Sequence, residues 1–394
     1  MSIYLNEILK AKKVLLLQGP VGPFFADFTD WLVSKHIQCY KVNFNAGDWR
    51  YYFARPNIWH FRKKIDKFIP WLQDKLQHHE IDAIVCFGDC RFYHVKAKQL
   101  AQRLGIAFYV FEEGYVRPDY ISFEADGVNN FSNFKALFAK QSDQPIKIDT
   151  QKTDNRFRRM LMCSLQYYLC WALFFWLYPF YRHHRGYKPV QELYYWMISG
   201  FRRFKNAYTE PARLNHLIKT YDQAYFVFAL QVHNDFQIRI HSDYRQIEDA
   251  IQQVISSFAE HAFSDQHLVF KHHPMDRGYR NYREYIQTTA HAFGIETRVH
   301  YLCDVHLPTL LKHSLGLVTI NSTTGIQALY HHIPVKVLGR AIYDLPQLTS
   351  QLELDQFWQV NDRCDEEYFN HFRNALIDTT QLNGAYYGKN FWMK

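Results

Sequence analysis

The sequence predicts an α/β fold in which two Rossmann-like domains face a cleft, with an aromatic helical insertion between them. Short apolar runs alternate with helical stretches on both sides of residues 160–181, a pattern typical of open parallel sheets. Polar motifs directly follow several of these runs, at the sheet edge where such folds bind ligands. The predicted segments are a first domain, an insertion, a second domain and a helical C-terminal segment, at 1–145, 146–215, 216–345 and 346–394.

The first domain begins with a short apolar run that follows two lysines and ends at Gly19-Pro20, which predicts a buried strand and a turn. The same reasoning predicts strands at 14–18, 38–43, 83–87 and 107–111. Helices are predicted at about 24–36, 58–78 and 92–104. This alternation predicts a doubly wound parallel sheet.

The second domain repeats the alternation. Strands are predicted at 225–230, 268–271, 315–320 and 335–338, with a helix at about 243–261. The residues that follow, about 346–380, are predicted to be mainly helical. A second open sheet of this kind provides a natural nucleotide-binding half.

The insertion contains a long uncharged stretch, Met160–Tyr181. As a single helix it would be about 33 Å long, enough to cross a hydrocarbon core. However, a span would put the two domains on opposite sides of a membrane. Tyr and Trp prefer the membrane interface, and anionic headgroups suit the arginines on both flanks, Arg158, Arg159, Arg182 and Arg185. We therefore expect first a membrane- or lipid-facing element, second a buried core helix and last a span.

The composition fits a folded protein with small anionic partners. The 394 residues carry a formal net charge of +8, which suits nucleotides or anionic lipids, but no Lys/Arg run is dense enough to predict a nucleic-acid site. The seven Cys are irregularly spaced without a zinc pattern, which indicates buried thiols in a reducing compartment. The N-terminus has no secretory signal, so we expect the protein to start in the cytoplasm.

The first chemical motif is a pair of adjacent carboxylates, Glu112 and Glu113, after the predicted strand at 107–111. Neighbouring side chains of an extended segment point to opposite faces, so only one of them would face the cleft, and we favour Glu112. Such a carboxylate can take a proton from a hydroxyl or give one to a leaving oxygen. A solvated pair at a helix end is an equally weighted alternative. Arg117 and Asn129 add polar groups nearby.

The second motif follows the predicted strand at 225–230 and contains Gln231, Asn234 and Asp235. So many polar groups are costly to place beside a core unless they serve a purpose. Asp235 is a candidate nucleophile or acid/base. The alternative is an ordinary polar loop.

The third motif is Lys271-His272-His273-Pro274, at the end of the predicted strand at 268–271. A lysine and two histidines can bind a phosphate and stabilise the charge that develops on it as it leaves. Pro274 forces the residue before it to be extended. A surface loop is the alternative, and no suitably spaced Cys or carboxylate suggests a metal site.

The fourth motif is Asn321-Ser322-Thr323-Thr324-Gly325, between a predicted strand and the start of a helix. Free N–H groups and the helix dipole favour an anion at such a position. Helix capping alone would need only one hydroxyl, so three in succession favour phosphate binding. The sequence contains neither of the glycine-rich fingerprints of dinucleotide and P-loop proteins.

In this order the motifs resemble those of the bacterial capsule polysaccharide biosynthesis family, which includes the β-Kdo transferases of group 2 type capsules. The resemblance spans about residues 110–340 and rests on Glu112–Tyr115 with Arg117-Pro118, Gly127–Asn129, Gln231–Asp235, Lys271–Pro274 and Asn321–Gly325. The chain looks most like the single-module members that add the first Kdo to a phosphatidylglycerol-type lipid.

The resemblance implies a GT-B-like fold and CMP-Kdo as substrate, without a cofactor. It implies that Glu112 or Glu113 is the acid/base and that Asp235 is the nucleophile of a retaining reaction. His273 and Ser322–Thr324 would contact the CMP phosphate. A glycerophospholipid acceptor would place the enzyme on the inner face of the cytoplasmic membrane, with an elongating Kdo transferase and a capsule export complex as further partners.

Two other functions fit the same sequence. The enzyme would keep its class if the donor were CMP-sialic acid or a UDP-sugar, because the phosphate contacts are shared. A non-catalytic component of capsule assembly is an alternative of a different class, and the polar clusters at three strand ends weigh against it.

Overall fold

The computed structural model describes residues 2–141, 148–154, 157–183, 186–187, 189–234, 236–359 and 363–393. The chain forms two compact units, unit 1 with Met1–Val190 and His371–Lys394, and unit 2 with Gln191–Asn370. This division differs from the four predicted segments. The insertion is shared between the two units, and the end of the chain returns to unit 1 because its last strand pairs there.

The first half of the chain alternates helices and strands. Its elements are α1 (Ile3–Ile8), β1 (Lys13–Leu16), α2 (Phe24–Ser34), β2 (Gln38–Asn43), α3 (Ala46–Tyr52), β3 (Ile58–His60), α4 (Phe68–His78), β4 (Ala83–Phe87), α5 (Phe92–Leu104), β5 (Ala107–Glu113), β6 (Tyr120–Ala125), α6 (Phe134–Phe138) and α7 (Phe157–Leu173).

The second half continues in the same way. Its elements are α8 (Pro189–Tyr221), β7 (Tyr225–Ala229), α9 (Phe236–His241), α10 (Ile247–His261), β8 (His267–Lys271), α11 (Arg283–Ala292), β9 (Val299–Leu302), α12 (Leu307–Lys312), β10 (Gly316–Thr319), α13 (Thr324–Tyr330), β11 (Val335–Val337), α14 (Leu354–Phe357), α15 (Glu366–Thr380) and β12 (Gln381–Asn383).

Unit 1 is built on a seven-stranded sheet in the order β12-β6-β5-β4-β1-β2-β3. The five strands from β5 to β3 are parallel, as predicted, whereas β6 and β12 add an antiparallel edge. In β1, Val14 and Leu16 join the apolar cluster on one face of the sheet, and Leu15 joins the cluster on the other. Burial of both faces explains why this strand is a continuous apolar run.

Unit 2 contains a five-stranded sheet in the order β11-β10-β7-β8-β9, and all its strand pairs are parallel. The strands β7, β8 and β10 lie at its centre and end in the predicted polar motifs. The predicted fold class is therefore confirmed: each unit is a Rossmann-like α/β unit around its own sheet, which is parallel throughout in unit 2 and has an antiparallel edge in unit 1.

Two predicted elements need correction. The helix expected from residue 58 begins only at Phe68, because Ile58–His60 forms the edge strand β3 beside β2. The strand expected at 107–111 continues through Glu113, because β6 pairs with it and places Glu112 opposite Ser122. The two candidate carboxylates are therefore strand residues.

The aromatic stretch of the insertion is not one helix. Its helix α7 ends at Leu173, and a short 3-10 helix follows at Phe175–Leu177. One face of α7 is buried and carries Tyr167 and Trp171, whereas the other face exposes Leu161, Met162, Leu165, Leu169 and Leu173. Of the flanking arginines, Arg185 lies outside the described residues. Within the part of the chain that the structure describes, no helix combines the length and the apolar character needed to cross a membrane.

Candidate functional site

In unit 1, the structure distinguishes the two adjacent glutamates at the end of β5. Glu113 is exposed, whereas Glu112 is half-buried and its Oε1 accepts a hydrogen bond from the Glu113 N–H at 3.0 Å. Burial raises the pKa of the Glu112 carboxyl to about 7, against the opposing effect of that hydrogen bond. A carboxyl that titrates near neutral pH can act as a general acid or base.

The residues around Glu112 come from the ends of the neighbouring strands β4 and β1. Gly88 follows β4 with a positive φ of 73°, and a Cβ there would lie 3.4 Å from Glu112 Oε2. The Arg91 guanidinium opposes the rise in the Glu112 pKa, and its Nη1 lies 3.4 Å from Gln18 Oε1. Gly88 directly follows the strand predicted at 83–87, but the sequence did not single out Arg91 or Gln18 as site residues.

The rest of the first motif supports the loop after β5. A side chain at Gly114 would collide with the carbonyl oxygen of Tyr120 in β6, so only glycine fits there. The Tyr115 hydroxyl donates to the buried Glu124 at 2.7 Å and accepts the Asn129 N–H. Arg117 donates through Nε to the Gly114 carbonyl. Arg117 and Asn129, both predicted to be site residues, therefore hold this loop in shape.

A buried polar cluster connects the carboxyl edge of β1 to α7. Gln18 Nε2 donates to the hydroxyls of Tyr167 and Tyr181, at 3.1 Å each, and Asn45 Nδ2 donates to Tyr167 at 2.6 Å. Asp48 accepts from the Phe44 N–H at 3.0 Å and from the Tyr167 hydroxyl at 3.3 Å. Two tyrosines of the aromatic stretch thus reach the edge at which Glu112 lies.

In unit 2, the ends of β7 and β10 are joined by Gln231 and Asn321. Gln231 Nε2 donates to Asn321 Oδ1 at 2.9 Å, and Gln231 Oε1 accepts the Asn321 N–H at 3.2 Å. Gln231 is buried. The structure therefore brings together residues of the second and fourth predicted motifs.

The loop after β7 is anchored by a residue that the sequence did not single out. Asp276 is fully buried and accepts from the His233 N–H at 3.2 Å and from the His233 imidazole through Nδ1. Asp276 lies two residues after Pro274, and this nearness to the third motif is the only feature of the sequence that could have pointed to it. Next to His233, the Nδ2 atom of Asn234 is buried without a partner among the described residues. Asp235, the candidate nucleophile, lies outside the described residues.

The lysine and histidines of the third motif have different surroundings. Lys271 is buried and donates through Nζ to the carbonyl oxygens of His272, at 2.9 Å, and Cys303, which ties the ends of β8 and β9 together. His272 is buried beside the Tyr301 hydroxyl, and burial lowers its pKa to about 4, so its ring is neutral. His273 is half-buried, and its Nδ1 accepts the Met275 N–H at 3.2 Å.

The hydroxyls of the fourth motif lie at the start of α13. Ser322 Oγ accepts the Thr324 N–H at 3.2 Å and donates to the Thr324 hydroxyl at 3.0 Å. A side chain at Gly325 would collide with the ring and hydroxyl of Tyr343. Packing against Tyr343 is therefore sufficient to require glycine at this position. Thr323 and Thr324 are both half-buried.

Each unit therefore carries its own polar group at the carboxyl edge of its sheet. Unit 1 offers a carboxyl that titrates near neutral pH, and unit 2 offers imidazole, amide and hydroxyl groups suited to an anion. Among the described residues, no group of three His, Cys, Asp or Glu side chains is arranged to hold a metal ion.

The chain is similar to known proteins over most of its length. Residues 82–387 match the family model described as capsule polysaccharide biosynthesis protein. The chain is 40% identical over 386 residues to the capsule polysaccharide export protein KpsS of Escherichia coli, covering 97% of this chain and 99% of that protein. It is 41% identical over 399 residues to the capsule polysaccharide modification protein LipB of Neisseria meningitidis, covering 98% and 94%. Among solved structures, the Thermosulfurimonas dismutans KpsC beta Kdo 2,7 transferase matches with a TM-score of 0.47 and 12% identity, covering 93% of this chain and 92% of that one.

Proposed function

Because the chain belongs to the capsule polysaccharide biosynthesis protein family, we propose that it is a glycosyltransferase that moves Kdo from CMP-Kdo to a phosphatidylglycerol or lysophosphatidylglycerol acceptor. The observation that carries the proposal is the Glu112 carboxyl at the end of β5, whose pKa burial raises to about 7. A carboxyl with this pKa can both accept and return a proton at neutral pH.

The proposed reaction retains stereochemistry through two displacements. In the first, an Asp235 carboxylate oxygen bonds to the anomeric carbon of Kdo, and the bond to CMP breaks with its electrons passing to the phosphate. In the second, the acceptor hydroxyl bonds to the same carbon, its proton passes to Glu112, and the Asp235 carboxylate is released. Glu112 must be ionised for the second step, which a pKa near 7 permits.

The donor phosphate is assigned to unit 2. His273, Ser322 and Thr324 are the proposed contacts. Asn234 Nδ2, which has no partner among the described residues, is a further proposed donor. Such fixed donors stabilise the charge on the leaving phosphate without reorganising. Lys271 supports the site indirectly in this proposal, since its ammonium already binds two carbonyl oxygens.

The acceptor lipid would place the protein on the inner face of the cytoplasmic membrane. The exposed face of α7 with its neighbouring arginines is a candidate membrane contact. An elongating Kdo transferase and a capsule export complex are the proposed further partners.

The test is mass spectrometry of a fluorescent lysophosphatidylglycerol after incubation with the protein and CMP-Kdo. One added Kdo is expected, and parallel reactions with CMP-sialic acid and a UDP-sugar report donor choice. Glu112→Gln is expected to lower the rate at least about 100-fold, whereas Glu113→Gln, the matched control, should stay within about threefold of wild type. Equal losses in both variants would contradict the role of Glu112. Absence of any product, although CMP raises the melting temperature, would contradict the assignment of Kdo or of the lipid.

A further inference from the structure

Unit 2 contains a strongly cationic pocket that the proposed reaction does not use. The cavity has a volume of about 380 Å³ and lies between α8 and the loop that follows Pro274, beyond the ends of β8 and β9. It is lined by six cationic side chains, Arg202, Lys205, Arg213, Arg277, Arg280 and Arg283.

Two of the six cations are balanced by carboxylates. Arg277 pairs with Asp304, and Arg213 pairs with Glu210 at 3.1 Å. For the other four, no carboxylate of the described residues lies within ion-pair distance. Clustered positive charge of this kind is a binding site for an anion with several acceptor oxygens.

A buried imidazole gives the pocket a further donor. His272 lines the cavity and is only 1% exposed, and its Nδ1 lies 2.8 Å from the Tyr301 hydroxyl. Its Nε2 is buried without a partner among the described residues. In the tautomer in which the Tyr301 hydroxyl donates to Nδ1, Nε2 carries the ring hydrogen and can donate to an anion in the cavity.

The helix that forms one wall of the pocket also carries an apolar stripe. Its residues are 55–72% exposed and recur at helical spacing along one side of α8: Leu193, Tyr194, Met197, Phe201, Phe204 and Tyr208. At about 100° per residue they fall within a sector of roughly 100°, next to the side that carries Arg202 and Lys205. Exposed aromatics beside basic groups are typical of helices that lie in a membrane interface.

We propose that this pocket binds the phosphate of an anionic glycerophospholipid, while the apolar stripe of α8 contacts the acyl chains of the membrane. The pocket supplies the charge selectivity and the stripe supplies the apolar contact. The inference rests on the proposed function for the class of lipid, but it involves neither the donor nor the chemical step. Vesicle binding can therefore fail while transfer of Kdo is retained, and the reverse.

The experiment is cosedimentation of the full chain with vesicles of phosphatidylglycerol mixed with phosphatidylcholine, and with vesicles of phosphatidylcholine alone. The test variant is Lys205→Gln/Arg280→Gln, because neither side chain has a carboxylate partner among the described residues. The matched control is Lys219→Gln/Arg245→Gln, which removes the same charge from exposed positions of unit 2 outside the pocket. A third variant, Phe201→Ala/Phe204→Ala, tests the stripe.

We expect the pocket variant to lower the partition coefficient onto the anionic vesicles about 10- to 30-fold. The control should change this coefficient less than about threefold. The stripe variant should lower binding to both kinds of vesicle. Equal losses in the pocket variant and its control would overturn the proposal, since they would report net charge alone. A second outcome would also overturn the proposal. The pocket variant would bind vesicles as the wild type does but lose its thermal stabilisation by CMP or inorganic phosphate, which would assign the pocket to a soluble phosphate.

Discussion

Replacement of Glu112 by Gln is expected to stabilise the protein at about pH 8 while it removes the proposed activity. The pKa of about 7 lies above the usual 4.5 because the charged carboxyl is buried. At about 1.4 kcal/mol per pKa unit the difference corresponds to about 3 kcal/mol. Since Glu112 remains half-buried, we expect a gain of about 1–3 kcal/mol.

The size of this stabilisation depends on pH. The folded protein holds the Glu112 proton more tightly than the unfolded chain, so its stability falls as the pH rises from 4.5 to about 7. Glutamine does not titrate, so the advantage of Glu112→Gln should be largest above pH 7 and nearly absent at about pH 4, below the unfolded pKa of 4.5.

Differential scanning calorimetry at the two pH values measures this advantage. A gain of about 2–8 °C in melting temperature is expected at the higher pH for a unit of this size, with Glu113→Gln unchanged because Glu113 is exposed. A loss of stability in Glu112→Gln at about pH 8, or an equal gain in both variants, would refute the reasoning.

Three further predictions concern groups that support the sites. Gly114→Ala should destabilise the protein by about 2–4 kcal/mol, because a methyl group collides with the backbone of β6; Gly200→Ala, in open space on α8, should be neutral or stabilising by thermal melting. Tyr167→Phe should cost about 1–3 kcal/mol in the same assay, since it removes the acceptor of the buried Asn45 Nδ2 and a donor to Asp48, and a neutral outcome would contradict the buried cluster. Asp276→Asn should lower kcat/KM at least about tenfold by weakening the hydrogen bonds that anchor the loop of Asn234, a proposed donor to the phosphate; activity at the wild-type level would contradict this role of the loop.

The central parallel strands were predictable from sequence because they are buried on both faces. The runs at Gln38–Asn43 and Ala83–Phe87 form strands with the predicted bounds. The edge strand at Ile58–His60 and the antiparallel strand at Tyr120–Ala125 were missed. The first is only three residues long and half-buried, and the second depends on pairing with β5 rather than on a pattern of its own.

The sites were predictable as motifs but not as contacts. Strand geometry predicted different surroundings for Glu112 and Glu113, because neighbouring side chains point to opposite faces, and the structure places Glu112 half-buried and Glu113 exposed. The partner of His233 is Asp276, 43 residues away, and no local pattern reveals such a pair. Lys271 shows the same limit. From the motif alone its ammonium was predicted to bind a phosphate, whereas in the structure the ammonium is buried and donates to two carbonyl oxygens.

The most direct test of the proposed chemistry is the mass of the Glu112→Gln protein after incubation with CMP-Kdo and the lipid acceptor. The variant lacks the base for the second displacement, so we expect Kdo to accumulate covalently on the peptide that contains Asp235. Unmodified protein together with transfer of Kdo to the lipid at the wild-type rate would contradict it.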